Sequence, residues 1–178
     1  MQLKKLILSS IIMLCAICFI TGCSEEKLEE KPKEAPKGNC TVVECMKKIE
    51  ASNTTEEITA IIGFEPTVSE FSGEATWKLD SKNWITLKPF NDSQTIQATI
   101  DKESIKDENI KLPSQKELQE LINKGITYEG LVEKLGAEGT LESKSSGSTG
   151  YVWADKNGQR LGVSINNKSK KCTVASYR

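Results

Sequence analysis

The chain repeats itself, and this internal repeat constrains its fold more than any other feature of the sequence. The segment at 53–63 reads NTTEEITAIIG and aligns, 73 residues further on, with ITYEGLVEKLG at 126–136. Trp77 aligns with Trp153 at an offset of 76 residues, and the Ser/Gly-rich stretch at 143–150 absorbs the difference. Self-similarity of this kind is typical of a structural unit that occurs twice. We therefore expect two related halves.

Each repeat contains two helix starts that capping residues mark. Ser or Thr followed three residues later by Glu forms a capping box, in which the two side chains bond free N–H groups of the first turn. The three expected boxes are Thr41 with Glu44, Thr54 with Glu57, and Ser114 with Glu117. Thr127 is expected to cap the fourth helix. Gly63 and Gly136 follow the last apolar residues of the second helix in each repeat, as helix-ending glycines do.

Alternating apolar and polar residues follow each pair of helices and predict antiparallel strands. The expected inward rows are Ala75, Trp77 and Leu79; Ile85 and Leu87; Ile96, Ala98 and Ile100; Tyr151 and Trp153; Leu161, Val163 and Ile165; and Cys172 and Val174. We therefore predict an α+β fold of two tandem repeats, each a helix–helix unit packed on an antiparallel β-sheet of about four strands. Each repeat has only about 60 residues, so the two should pack together, with their sheets side by side or as one curved surface.

The first 22 residues have the composition of an export signal. Lys4 and Lys5 precede an apolar run at 6–20, and the small residues of ITGC end it at Cys23. This pattern resembles the lipobox of bacterial lipoproteins, in which the cysteine receives diacylglycerol and is cut from the signal peptide. An uncleaved membrane anchor is the alternative, although a spanning helix needs about 20 apolar residues. The expected location is the extracytoplasmic face of the cell membrane, with the lipid on Cys23 as anchor.

The repeat and the lipobox together divide the chain into five segments. Residues 24–38 consist largely of Glu, Lys, Pro and Ala, and such a composition predicts disorder. The expected segments are a signal peptide at 1–22, the lipidated cysteine and a disordered charged linker at 23–38, repeat 1 at 39–100, a connector at 101–112 and repeat 2 at 113–178.

The composition excludes several kinds of active site. The chain has no histidine, which excludes Ser-His-Asp and Cys-His catalysis and removes the commonest metal ligand. The formal charge is −1, and it becomes −3 when the signal leaves with Lys4 and Lys5. The sequence lacks the basic stripe that nucleic-acid binding requires. We therefore expect no enzyme activity, no cofactor, no metal site and no nucleic-acid partner.

The cysteines do not form a disulfide framework, because an odd number remains after export. Those removed or lipidated are Cys15, Cys18 and Cys23. Cys40 and Cys45 flank the first helix cap at the two hydrophobic-staple positions, which pack against each other. A disulfide between them is one interpretation, and a buried apolar role for Cys45, like that of Leu118 in the second repeat, is the other. Cys172 is interpreted as an inert core residue, since no base is present to activate it.

The sheet face opposite the apolar rows carries residue types that dominate protein-binding hot spots. The candidate binding residues are Trp84, Phe90, Arg160 and Tyr177. For Trp84 the alternative is that it covers a strand edge or the junction between the repeats. Trp77 and Trp153, by contrast, lie in the inward rows and are expected in the core.

The two halves resemble the repeats of the beta-lactamase-inhibitor-protein (BLIP-like) family and related bacterial lipoproteins. The resemblance is carried by TTEE at 54–57 through Gly63 with Trp77, and by TYEGLVEKLGAEG at 127–139 with Trp153. It implies a concave sheet surface that binds proteins, in the case that names the family by plugging an enzyme active site. We expect a membrane-anchored protein-binding module, and the more specific form of this expectation is an inhibitor of an envelope or secreted enzyme. The alternatives are an envelope assembly or scaffold lipoprotein and a small-ligand carrier.

Overall fold

The computed structural model describes residues 36–178. The expected signal peptide at 1–22, the lipidation site Cys23 and most of the expected linker lie outside the described residues. The helices are α1 (Val42–Lys48), α2 (Thr55–Ile62), α3 (Gln115–Asn123) and α4 (Tyr128–Leu135). The strands are β1 (Thr67–Val68), β2 (Ala75–Lys78), β3 (Trp84–Phe90), β4 (Ser93–Thr99), β5 (Lys106–Asp107), β6 (Thr140–Ser145), β7 (Ser148–Asp155), β8 (Arg160–Asn166) and β9 (Cys172–Tyr177). None of the helices in this part of the chain is long and apolar enough to cross a membrane.

The helix ends follow the capping pattern of the sequence. The three expected capping boxes are present at the starts of α1, α2 and α3, and the Thr127 side chain accepts a hydrogen bond from Gly130 N at the start of α4. Gly63 and Gly136 end α2 and α4 with φ of 98° and 77°. These left-handed conformations cost glycine little and other residues more. The predicted helix caps are therefore confirmed.

The predicted architecture of two helix–helix units, each on its own four-stranded sheet, is wrong. The described chain forms one nine-stranded sheet in the order β1-β2-β3-β4-β6-β7-β8-β9, with β5 paired to β7. Strand β4 of the first half pairs directly with β6 of the second half, through Thr95 with Ser145, Ile96 with Lys144 and Gln97 with Ser143. This pairing removes the two free edges that separate sheets would expose.

The connector expected at 101–112 has secondary structure of its own. It contains a short 3-10 helix, Lys102–Ile105, followed by β5. Strand β5 pairs in parallel with the end of β7, Lys106 with Ala154 and Asp107 with Asp155, whereas the other strand pairs are antiparallel. The connector is thus part of the sheet.

All four helices pack on one face of this sheet. One core cluster joins α1 and α2 to Trp77, and the second joins α3 and α4 to Trp153. The tryptophan side chains are 0% and 1% exposed, and each indole N–H is satisfied, by Thr59 Oγ1 at 3.1 Å and by Ala137 O at 2.9 Å. Their expected place in the core is confirmed. Buried polar groups need hydrogen-bond partners. These two bonds supply them and also connect the helix side of the molecule to the sheet.

Two β-bulges change which side chains face the helices. In β9, Cys172 pairs with Ile165 but Val174 pairs with Ser164, so one extra residue, Thr173, lies between them. A one-residue shift moves every later side chain of the strand to the opposite face. Val174 is therefore 61% exposed, and its predicted inward position is wrong. A similar irregularity lies in β6 between Leu141 and Ser143.

The start of α1 is fastened covalently. The structure joins Cys40 and Cys45 in a disulfide that spans the Thr41 cap, and Cys172 is a buried free cysteine. Cys45 is itself fully buried and belongs to the first core cluster. The bridge therefore holds the entry of the chain against the core.

Candidate functional site

The sheet face away from the helices is called the open face here. Its residues alternate with the core rows, and no helix of residues 36–178 packs on it. Several small side chains at its centre are nevertheless buried: Thr86, Val152, Ala154 and Gly162. Burial without a covering helix means that longer neighbouring side chains close over these residues. The accessible surface of the open face is therefore formed by its longer side chains.

Two of the four candidate binding residues project from the first half of the open face. Trp84 pairs with Lys78 on β2 and with Thr99 on β4, on the opposite side of the sheet from the buried Ile85. Its side chain is only partly buried. Phe90, at the other end of β3, is 70% exposed. Strand β3 therefore presents one aromatic ring at each end of its open side.

Arg160 also lies on the open face, where it belongs to an ion-pair cluster. Its Nη2 is 3.3 Å from Glu142 Oε1, while Arg178 Nη1 is 3.1 Å and 3.2 Å from the two Glu142 oxygens. The Arg178 guanidinium lies against Gly162, where a Cβ would come within 3.2 Å of it. Glu142, Arg160 and Arg178 form what we call the Arg–Glu–Arg bridge. Arg178 remains 52% exposed, so part of its guanidinium stays accessible.

Tyr177 does not belong to this face, and its predicted position there is wrong. The β9 bulge pairs Tyr177 with Leu161 and packs it against the second core cluster, where its hydroxyl donates to Pro113 O. Burial, and to a lesser extent Glu117, raises the pKa of the Tyr177 phenol. Tyr177 therefore holds the segment that precedes α3 against the sheet and is not available for contact with a partner.

Sequence reasoning missed Glu142 and Arg178. The sequence TLESKS at 140–145 does not alternate between apolar and polar residues, so nothing local marks Glu142 as the bulge residue. Arg178 could have been placed only from the β9 register, since its N and O atoms exchange hydrogen bonds with Arg160. The two arginines therefore form a hydrogen-bonded pair and lie directly opposite each other, on β8 and at the end of β9.

A cleft of about 560 Å³ lies on the helix side, where the two helix pairs separate above β6 and β7. The Tyr128 and Tyr151 rings form one wall and stack at 4.2 Å between centroids. The inward positions here are polar: Lys144 Nζ donates to Ile49 O at the end of α1, and Thr149 Oγ1 donates to Asn167 Oδ1 at 2.8 Å. Burial raises the pKa of both tyrosine phenols, so they are neutral hydrogen-bonding groups at physiological pH.

The described residues offer little for catalysis. No group of three or more His, Cys, Asp or Glu side chains within 36–178 could hold a metal ion. The Cys172 thiol is buried, and this burial raises its pKa, which disfavours the nucleophilic thiolate. The carboxylates with lowered pKa serve helix caps and turns; Glu44, for example, accepts hydrogen bonds from the backbone and side chain of Thr41.

Comparison of the chain with protein-family models, with curated proteins and with solved structures finds no match.

Proposed function

We propose that the chain is an extracytoplasmic lipoprotein, anchored through lipid on Cys23, that binds another protein through its open face. The observation that carries this proposal is the surface of β3 and its neighbours. Trp84 and Phe90 project from a sheet face that no described helix covers and that also carries the Arg–Glu–Arg bridge. Trp, Tyr and Arg dominate binding hot spots.

The repeat motifs support a more specific form of the same proposal. Their resemblance to BLIP-like repeats favours a binding module that inhibits an envelope or secreted enzyme. The lipid anchor expected on Cys23 would hold such a module where envelope enzymes work. An assembly or scaffold role uses the same face with a different partner.

Site-specific photo-crosslinking in intact cells tests the open face directly. A photoreactive amino acid replaces Trp84 or Phe90 in the full chain and, as a matched control, replaces the exposed α3 residue Gln119. We expect the same discrete protein adduct from positions 84 and 90 and none from position 119. Equal adducts from all three positions, or none from 84 and 90, would contradict binding through this face.

The anchor is tested separately. Mass spectrometry of the protein from its own membranes should give the mass of residues 23–178 plus a diacylglycerol group. The mass of residues 1–178 without lipid would instead favour the uncleaved membrane anchor.

A second candidate function, that of a small-ligand carrier, is favoured by the cleft beside Tyr128 and Tyr151. Its volume is within the range of small-molecule sites, and stacked aromatic rings beside polar side chains suit a ring-containing ligand. Native mass spectrometry of protein purified from its own membranes would show a bound molecule. A Thr149→Trp variant, which fills the cleft, should lose that molecule.

A further inference from the structure

The two layers of the molecule carry opposite net charge. The four helices contain seven glutamates and four lysines, a net charge of −3. The charged residues on the open side of strands β2 to β9, together with the adjoining Arg178, are the cations Lys78, Lys88, Lys106, Arg160 and Arg178 and the carboxylate of Glu142. Lys106 is neutralised by Glu103 at 2.9 Å. Without this paired lysine the open face is net +3, although the whole chain is −1.

Most of these charges form a band along one end of the open face. Lys78, Trp84 and Thr99 occupy one register row across β2, β3 and β4. Glu142 on β6 contacts Arg160 on β8 and Arg178 at the end of β9. With strands spaced about 4.8 Å apart, the cationic band from Lys78 to Arg178 spans roughly 29 Å. Lys88 lies outside the band, toward Phe90.

The Arg–Glu–Arg bridge leaves unused donor capacity in this band. Like charges directly opposite each other in a sheet are destabilising, and Glu142 neutralises only one of the two arginines. Arg178 uses Nη1 for Glu142, and its side chain as a whole is half exposed. A guanidinium presents five donors in a planar fork that fits carboxylates in two-point contacts. A partner carboxylate would complete the neutralisation.

We propose that the open face binds an extended acidic segment of a partner protein, with its carboxylates on Arg178 and Lys78 and its chain across the strands between them. This inference rests on the proposed function and names the chemistry of the partner. Opposite potentials across an interface favour and orient association. An extended chain rises about 3.3 Å per residue, so a segment of about nine residues covers the band.

The spacing of the cations favours a protein segment over an anionic membrane surface. Anionic lipid headgroups are bound by clusters of about four to eight Lys or Arg, whereas Lys78 lies at one end of the band and Arg160 and Arg178 lie at the other. Trp84 lies in the row of Lys78 and offers a ring against which peptide side chains can pack. The band thus offers separated cationic contacts that a chain with spaced carboxylates can reach.

A binding titration with defined peptides tests the inference. The detergent-solubilised full-length protein is titrated into a labelled peptide of five Glu-Ser repeats, and in parallel into five Gln-Ser repeats, with anisotropy as readout. We expect saturable binding of the acidic peptide at low ionic strength and at least tenfold weaker binding of the neutral one. Lys78→Gln with Arg178→Gln should weaken acidic-peptide binding about tenfold, since an exposed ion pair contributes roughly threefold.

A matched double variant and a membrane assay complete the experiment. Lys48→Gln with Lys116→Gln removes two exposed helix-layer cations and should change binding less than twofold. Equal binding of both peptides, or equal loss in both double variants, would overturn the inference. So would Lys78- and Arg178-dependent binding to phosphatidylglycerol vesicles without peptide binding, which would assign the band to a membrane surface. Position-specific crosslinks at Trp84 without acidic-peptide binding would reject the acidic partner but leave the proposed protein binding in place. Absence of both the crosslinks and the peptide binding would reject both proposals.

Discussion

Glu142 is 8% exposed on a sheet face without a covering helix, and its two arginine partners explain how its charge is tolerated there. A buried charge is costly unless it is paired and hydrogen-bonded. Removing Glu142 would leave Arg160 and Arg178 facing each other across an antiparallel pair. The Glu142 carboxylate therefore stabilises the pairing of β8 with the end of β9, because it offsets the repulsion between the two arginines.

We expect Glu142→Gln to lower the free energy of unfolding by about 1–3 kcal/mol, because a nearly buried, charge-assisted pair is lost and two like charges remain. Urea denaturation followed by circular dichroism measures the change. The control is Glu103→Gln, whose pair with Lys106 is more exposed and should contribute below about 1 kcal/mol. Equal losses in the two variants would contradict a special role for Glu142.

Carboxylates in the capping boxes make stability depend on pH. Hydrogen bonds from the Ser114 backbone N–H and hydroxyl lower the pKa of Glu117 below its ordinary value of 4.5, and Thr41 lowers the pKa of Glu44 in the same way. A pKa lowered by folding contributes stability above 4.5, and this contribution is lost as pH falls through the folded-state value. Acidification below about pH 4.5 should therefore lower Tm.

Glu117→Gln isolates this effect, because glutamine keeps the capping geometry but does not titrate in this range. At pH 7 the variant should melt below the wild type, since its amide is a weaker acceptor and carries no charge for the helix dipole. The difference in Tm should shrink as pH falls toward 3. A difference that is constant with pH would show that the Glu117 carboxylate is not stabilised in the folded state.

At the scale of single elements, the β9 bulge decides which face each late side chain occupies. Without the extra residue at Thr173, Val174 would face the helices and Ala175 the open face; with it, Ala175 packs beside the second core cluster and Val174 is exposed. Val174→Lys should then change the free energy of unfolding by less than about 0.5 kcal/mol. Ala175→Lys should cost more than about 2 kcal/mol, because it places a charge among apolar side chains.

Denaturation of both lysine variants measures this contrast, and each serves as the control for the other. The opposite order of stabilities would mean that β9 runs without the bulge. In that case Tyr177 would return to the open face.

Local signals predicted the helices better than the strands. A capping box depends on residues three apart in sequence, and all three boxes were legible at Thr41, Thr54 and Ser114. The alternation of β3 likewise predicted the open-face positions of Trp84 and Phe90. The bulges at Thr173 and Glu142 depend on how many residues the neighbouring strand supplies, which no local pattern records. Tyr177 was misplaced and Glu142 overlooked for this reason.

At the scale of the whole molecule, one lysine connects the two halves on the helix side. Lys144, on the first strand of the second half, donates through Nζ to Ile49 O at the end of α1 and lies 3.5 Å from Glu50 Oε1. Its side chain is 15% exposed. The lysine thus satisfies a helix-end carbonyl across the β4–β6 seam, where the sheet passes from one half to the other.

We expect Lys144→Met to lower the free energy of unfolding by about 1–3 kcal/mol, because the stem is conserved while a charge-assisted hydrogen bond to a carbonyl is lost. Chemical denaturation measures it, with the exposed Lys124→Met as control, expected within about 0.5 kcal/mol of wild type. Wild-type stability in the Lys144 variant would show that strand pairing alone holds the seam.

The single sheet could not be predicted from the repeat. Two copies of a unit are equally compatible with two sheets and with one, because the pattern inside each copy is the same in both arrangements. Whether the repeats form one sheet or two depends on whether β4 pairs with β6, as it does here through pairs such as Ile96 with Lys144. In a separate sheet a lysine at an inward position would be buried among apolar side chains. Lys144 is accommodated because it lies beside the cleft between the two helix pairs and donates to Ile49 O.

The opposite charges of the four helices and the open face contribute an electric dipole directed across the sheet. An acidic partner exerts a torque on such a dipole before any contact forms, and turns the cationic face toward itself. At 0.1 M ionic strength the Debye length is about 10 Å, close to the spacing of packed layers. Electrostatic steering then acts only over the last stretch of approach, within about one Debye length. Added salt should therefore lower the association rate constant more than it raises the dissociation rate constant.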